Sequence, residues 1–368
     1  MKESAINDKW HMPAEWGKHE GTWLQWPHED QWPGYQMKLE HIWLWMVSYL
    51  HNHENVHICV QDERRRDHII KQLQFFNIGL RNIDFHIIPT NDVWARDNGP
   101  TFVVKRKKLG IVNWNFNGWG GRYEHNLDNE VPKRIQTELD VPIFSPDLTA
   151  EGGNIEVNGR GTLMATKSAV LNDNRNPGIS IEKIEDVFRQ YLGVNHFIWL
   201  TGLKTDNPAE IGWADDTDAH IDTVARFVNP NTVVYSWTDD ETDPCYPMLK
   251  RNYEELKKAT IEDGSKLNLV PLPLPKNGIY STSHIGAGGN ISQSEVPLRI
   301  NAFYTNFYIA NEVVLVPIYG NINDQKALEI LSEQFPYRDI IGINVLDLAE
   351  NGGEIHCVTQ QQPEADKE

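Results

Sequence analysis

Cysteine is scarce: Cys59, Cys245 and Cys357 are the three in 368 residues. Three cannot all pair within one chain and are too few for a disulfide scaffold, so a reduced, cytoplasmic protein is expected. No C-x-x-C pair occurs, and no metal site is expected. G-x-G-x-x-G and G-x-x-x-x-G-K-[ST] are missing as well, so neither a dinucleotide nor a P-loop site is expected, and no cofactor. No run approaches the apolar length that spans a bilayer, and the opening MKESAINDKWHMPAEW lacks the apolar segment of a secretory signal. Membrane association is therefore not expected. Basic residues are in deficit, with 34 Lys and Arg against 52 Asp and Glu, for a net charge of −18. Nucleic-acid binding needs a basic footprint and is not expected here; a small cationic substrate is compatible.

What is present is a globular composition, 40% hydrophobic and 23% charged. Nothing in it divides the chain, which predicts one domain over 10–363 with flexible ends at 1–9 and 364–368. Thirteen tryptophans predict that some line a ligand cleft.

Strands alternate with helical stretches. NVHICV (55–60), DFHIIPT (84–90), GIVNWNF (110–116) and NTVVYSW (231–237) read as strands. Helical spacing covers 64–76, 180–192 with Ser180 as N-cap, and 324–335 with Asp324 as N-cap. The polar stretch 238–248 reads as a surface loop.

A short motif recurs: EGGNI at 151–155, AGGNI at 287–291 and NGGEI at 351–355. Gly152 and Gly288 stand 136 residues apart, about twice the 64 between Gly288 and Gly352. A copy missing between the first two would fall near His220, in DDTDAHIDTVARF, and one step back lies WARDNGPTFVV (94–104). Both run from charged residues into an apolar strand. Five units of roughly 55–70 residues follow, each a small α/β module, closing into a ring with its glycine pairs near the centre.

Polar residues beside those glycines would converge from different units. Cys357 is either a small buried hydrophobe or a nucleophile. His220 lies among Asp215, Asp216, Asp218 and Asp222, either in a solvated acidic turn or as a general acid whose proton affinity the carboxylates raise. On an extended segment His220 and Asp222 share a side, whereas His356 and Cys357 point opposite ways. Asp97 belongs to a turn or projects inward from a strand end, and Glu151 caps a turn or enters the core. A cysteine among carboxylates suits attack on a cation, because a guanidinium's planar fork matches carboxylates while an oxyanion would be repelled.

MPAEWGKHEGTWLQWP (12–27), VWARDNGPTFVV (93–104), FNGWGG (116–121), EGGNIEVNGRGTL (151–163), LNDNRNPG (171–178), DDTDAHIDTVARF (215–227), NFYIAN (306–311) and GGEIHCVTQQQP (352–363) resemble the agmatine deiminase family of guanidino-group-modifying enzymes. The resemblance implies a five-module α/β propeller with pseudo-fivefold symmetry, the pentein fold. It implies that Cys357 attacks the guanidinium carbon of agmatine, that His220 protonates the departing ammonia and activates water, and that Asp97 and Asp222 grip the guanidinium nitrogens. Glu151 would orient His220 or add a further carboxylate contact. Trp94 and Trp119 would pack on the aliphatic chain, and Asp215, Asp216 and Asp218 are candidates for the distal ammonium. The product would be N-carbamoylputrescine, within polyamine metabolism, and a second copy of the chain is the macromolecular partner left open. Two positions depart from the family pattern: Glu354 where Asn is common, and Ala219 where Gly usually precedes the histidine.

Three other readings compete: a deiminase of peptidyl-arginine or another guanidine, an inactive polyamine-binding propeller, and a cysteine amidase of another fold. Retention of Cys357, His220 and three carboxylates counts against the second. The third calls for an oxyanion hole rather than a carboxylate clamp.

Overall fold

The structure, a computed structural model, describes residues 9–29, 31, 34–203, 215–285 and 291–365. It is a mixed α/β fold. The strands are β1 (His19–Gln25), β2 (Asn55–Val60), β3 (Ile83–Ile87), β4 (Thr101–Lys105), β5 (Lys108–Val112), β6 (Ile143–Phe144), β7 (Glu156–Val157), β8 (Thr162–Thr166) and β9 (His196–Leu200). The series continues with β10 (Ala225–Asn229), β11 (Thr232–Trp237), β12 (Asn268–Pro273), β13 (Tyr280–Ile285), β14 (Ile291–Arg299), β15 (Tyr308–Ile309), β16 (Val313–Ile318), β17 (Asp339–Asn344) and β18 (Thr359–Pro363).

Most of these strands join sheets of one design. The sheets run β4-β5-β6, β7-β8-β9, β10-β11-β12, β15-β16-β17 and β18-β1-β2-β3. In each, the first pair is antiparallel and the next parallel. A parallel pair needs a long crossover, and here each contains a helix: Gln36–Leu50, Val131–Leu139, Ile181–Leu192, Tyr246–Leu256 and Asp324–Gln334. β13 and β14 form a separate hairpin. The last strand, β18, pairs with the first, Thr22 facing Gln361 and Leu24 facing Thr359. The three glutamines after Cys357 are thus a buried strand, with Trp23 donating to Gln362 Oε1 at 2.8 Å.

A tight turn precedes the first strand of each sheet: Ala95–Asn98, Gly152–Asn154, Ile221–Val224 and His356–Val358, with a hydrogen-bonded turn from Phe303 to Asn306 before β15. This shared position gathers side chains from distant parts of the sequence.

Several local expectations shift. His220 precedes a helical turn rather than opening a strand, Asp97 lies within one, and Cys357 is in a 3-10 turn rather than a strand. The strand expected over 110–116 is Lys108–Val112, beyond which the Asn113 and Asn115 N–H groups bond the Phe144 and Leu148 carbonyls. Strand 84–90 is Ile83–Ile87, and helix 64–76 is Glu63–Phe75, capped by Asp62. Ser180 caps its helix as expected. Asp324 is a first-turn residue, not the cap, and its carboxylate accepts from Tyr319 and Asn321 N–H groups and the Tyr304 hydroxyl. The 238–248 stretch is a largely exposed loop up to Pro244, after which Cys245 is buried and a helix starts at Tyr246. Glu364, expected to fray, bonds Lys18 through its backbone at 2.8 Å and its side chain at 2.6 Å. Residues 1–8, 366–368 and the glycines of the 287–291 motif lie outside the described residues.

Candidate active site

The turns bring Cys357, His220, Asp222, Asp97 and Glu151 together, all buried. Gly153 marks the meeting point. A Cβ there would lie 2.6 Å from His220 Nδ1, 2.7 Å from Asp97 Oδ1 and 3.1 Å from Asp222 Oδ2. The first two contacts are closer than real Cβ atoms show and the third is tight, so a side chain there would push His220 and Asp97 from their places.

Two donors hold Asp97: Gly153 N–H to Oδ1 at 2.9 Å and Trp119 Nε1–H to Oδ2 at 2.8 Å. His220 sits between carboxylates, Nδ1 3.6 Å from Asp97 Oδ1 and Nε2 3.5 Å from Glu151 Oε2. Burial opposes its charged form, but Asp97, Glu151 and Asp222 outweigh burial and raise the imidazole to about 9. Arg175, itself buried, donates Nε–H to Glu151 at 2.8 Å; burial would raise that carboxyl, yet Arg175 and His220 bring it below its usual range.

Asp222 Oδ2 accepts from His356 Nδ1 at 2.8 Å and lies 4.0 Å from the Cys357 sulfur. His356 and Cys357 were expected on opposite sides; the 3-10 turn instead aims both at one carboxylate. The other His356 nitrogen contacts Glu15 Oε2 at 2.9 Å, and Arg226 Nη2 reaches the same oxygen at 3.0 Å. Glu15, Glu156, Arg96 and Arg226 thus form a buried charge cluster behind the site, which stays affordable only because each member is paired.

Beside the sulfur a small cleft of about 20 Å³ opens, lined by Trp94, Trp119, Asp97, Asp216, Asn351 and Gly352. Larger grooves of about 460 and 600 Å³, near Glu20 and near Asp240, contain none of the converging groups. Trp94 packs against the second glycine of the NGGEI motif, where a Cβ on Gly353 would meet its ring at 2.3 Å. The three acids expected at a distal ammonium separate. Asp215 is used within its own turn, accepting from Thr217 N, Thr217 Oγ1 and Ala219 N. Asp218 is taken by Arg122 and Arg175. Asp216 alone of the three lines the cleft, bonded by Tyr123 OH at 2.7 Å.

Several buried polar atoms here have no protein hydrogen-bond partner among the described residues: Asp222 Oδ1, Glu151 Oε2, His220 Nε2, Asn351 Oδ1 and Trp94 Nε1. Burial without a partner is costly; the acceptors Asp222 Oδ1 and Asn351 Oδ1 suit N–H groups of a bound ligand, whereas Trp94 Nε1 and the protonated His220 Nε2 can only donate and Glu151 Oε2 faces His220. Among the described residues no group of three or more His, Cys, Asp or Glu side chains is arranged to hold a metal ion. One H-E-x-x-H spelling, His53 to His57, escaped the sequence reading. It enters strand β2 rather than lying on a helix, and His53 contacts Glu312 while His57 contacts Glu20. No helix among the described residues is long and apolar enough to cross a membrane.

Sequence reasoning gave no role to Glu15, Arg175, Arg226, Asn306 or Asn351. Arg226 was detectable as a charge inside the otherwise apolar VARFV. The others carry no local signal, because their partners lie far along the chain.

A cysteine held among carboxylates and a charged histidine, on turns between α/β sheets, fits enzymes that attack guanidinium groups. The chain belongs to the Porphyromonas-type peptidyl-arginine deiminase family, which it matches over residues 11–363. It is 35% identical over 378 residues to the agmatine deiminase of Medicago truncatula, covering 96% of each chain. The solved agmatine deiminase of Enterococcus faecalis superposes with a TM-score of 0.85 at 29% identity, covering 98% of each chain. A cysteine-to-serine variant of C. jejuni agmatine deiminase with substrate bound gives 0.81 at 28% identity, covering 96% of each.

Proposed function

We propose that the chain is a cytoplasmic agmatine deiminase, converting agmatine and water to N-carbamoylputrescine and ammonia. The observation that carries this reading is the convergence around Gly153 of Asp97, Asp222 and His220, with the Cys357 sulfur 4.0 Å from Asp222.

The substrate guanidinium lies between Asp97 and Asp222, each accepting N–H bonds, with its carbon facing Cys357. Burial, then Asp222 and Asp97, push the free thiol well above its ordinary range, so it is neutral in the empty site. A bound cation reverses the local charge and favours the thiolate beside its target; the thiol proton passes to solvent as substrate binds, because His220 is already protonated, and one returns once the thiolate is expelled. Sulfur attacks the guanidinium carbon, and the C–N bond to the terminal nitrogen breaks. The His220 imidazolium supplies the proton with which ammonia leaves. Neutral His220 then takes a proton from water, whose oxygen attacks the amidino carbon and expels the thiolate. Glu151, neutralised by Arg175, orients His220.

Trp94 and Trp119 flank the aliphatic chain. Asp216 and the unpartnered Asn351 Oδ1 receive the distal ammonium. A peptidyl-arginine substrate, favoured by the family's description, would bring amide groups rather than a cation to that end. We take residues 10–363 as one catalytic domain and its sheets as five modules of a pseudo-fivefold propeller. Their common strand pattern and the pairing of β18 with β1 support that reading.

The test is a turnover panel with agmatine, arginine and an arginine-containing peptide, with products identified. Agmatine is expected to dominate; equal rates on all three would contradict the assignment.

A further inference from the structure

The turn before β15 also reaches the nucleophile. Asn306 is fully buried and clamps the Cys357 turn. Its Oδ1 accepts from His356 N–H at 3.0 Å and Cys357 N–H at 3.4 Å. Both are backbone donors, so they fix which end of the amide is oxygen. The amide nitrogen, Nδ2, therefore faces the Cys357 sulfur, at 3.3 Å. The neutral thiol could use Oδ1 at 3.5 Å or Asp222 at 4.0 Å as acceptor. Nδ2 can only donate, so its bond strengthens when sulfur becomes anionic.

Glu354 explains how this turn keeps its place. Its Oε1 accepts from Phe303 N–H at 2.9 Å and from the Tyr319 hydroxyl, and Asn306 N–H closes the same turn on Phe303 O at 3.0 Å. Burial pushes the Glu354 carboxyl well above its usual range, more than those two donors lower it. It ties the nucleophile's loop to the Asn306 turn.

Resting on the reading of Cys357 as nucleophile, we propose that Asn306 is a further catalytic residue, donating Nδ2–H to the Cys357 thiolate, and that Glu354 positions the turn carrying it. The ionisable groups around the sulfur are Asp97, Asp222 and His220 from the other turns, and Glu354 and His356 from its own loop. Asp97 and Asp222 oppose the thiolate. Asn306 is a neutral donor that favours it and is in place before substrate binds.

Alkylation of Cys357 by iodoacetamide against pH tests this, with mass spectrometry separating Cys357 from Cys59 and Cys245. In Asn306→Ala the midpoint should rise by about one pH unit, with alkylation near neutral pH slowed about tenfold. An unchanged midpoint and rate in a folded variant would overturn the proposal. Should Asn306→Ala fail to fold, Asn306→Asp keeps the acceptor for both backbone amides while removing the donor. It should slow alkylation further, and wild-type reactivity there would equally overturn the proposal. Glu354→Ala should shift the midpoint the same way and Glu354→Gln restore it in part; no shift in Glu354→Ala removes its positioning role. The readout uses no agmatine, so a wild-type chain that fails to deiminate agmatine leaves this result standing.

Discussion

The Trp119 indole donates to Asp97 Oδ2 at 2.8 Å from a backbone held at φ 54°, ψ 48°. A bulky residue in that left-handed region is strained, and the strain persists only where surrounding contacts fix it. Asn117 caps Gly120 N–H at 2.8 Å, and Arg122 bonds the Trp119 carbonyl at 3.0 Å. The strained turn thus aims a donor at a site carboxylate while its ring forms a wall of the cleft.

Asp97→Asn should lower kcat/KM for agmatine by about 10²–10³, because an anionic contact to a buried cation is lost. The folded state should persist, since the side chain keeps its shape. Steady-state kinetics check this, and a rate within twofold of wild type would remove Asp97 from the site.

The two motif glycines should separate in kinetics. A Cβ at Gly153 displaces His220, Asp97 and Asp222, so Gly153→Ala should cut kcat by at least about 100-fold. At Gly353 its three nearest contacts all lie in the Trp94 ring, on the cleft wall. Gly353→Ala should act mainly through KM. Measuring kcat and KM separately for both variants checks the contrast.

Ala219 sits at φ 60°, following Asp218 at φ 63°. Left-handed backbone costs an alanine about 1 kcal/mol that glycine avoids. Ala219→Gly should therefore raise stability to urea by up to about 1 kcal/mol while the hydrogen bond from its N–H to Asp215 stays. A loss of stability would mean that the Cβ packing outweighs the strain.

His220 is raised in the folded state to about 9 by Asp97, Glu151 and Asp222 against the opposing effect of burial, whereas an unfolded histidine titrates near 6.5. A raised folded value means the stabilisation is full below about pH 6.5 and is lost as pH rises through about 9. Urea unfolding of wild type against His220→Asn should show a stability gap that narrows across that window. A gap constant from pH 6 to pH 9.5 would contradict the charged-histidine account.

Much of this arrangement was legible in the sequence, for a physical reason. Repetition of a glycine pair ahead of an apolar strand reports a backbone requirement, and at Gly153 and Gly353 that requirement is a close approach by site groups. Spacing from Gly152 placed His220 and Asp97 in equivalent positions, and the structure puts each in or beside the turn before a first strand. The same logic could not find Asn306, since its turn lacks the glycine pair. Nor could it sort three neighbouring acids, because Asp215, Asp216 and Asp218 differ in partners from elsewhere, Tyr123, Arg122 and Arg175 among them. Glu354 looked like a departure in the Cys357 motif; its bonds to Phe303 N–H and Tyr319 OH depend on residues 51 and 35 positions away.

The account stands most directly on the covalent step. Wild type mixed with agmatine, quenched in acid and digested should carry an amidino adduct on the Cys357 peptide. Ammonia and N-carbamoylputrescine should form one to one, and Cys357→Ser should fold yet show neither adduct nor product. Undiminished ammonia release by Cys357→Ser, or an adduct on Cys59 or Cys245 instead, would contradict it.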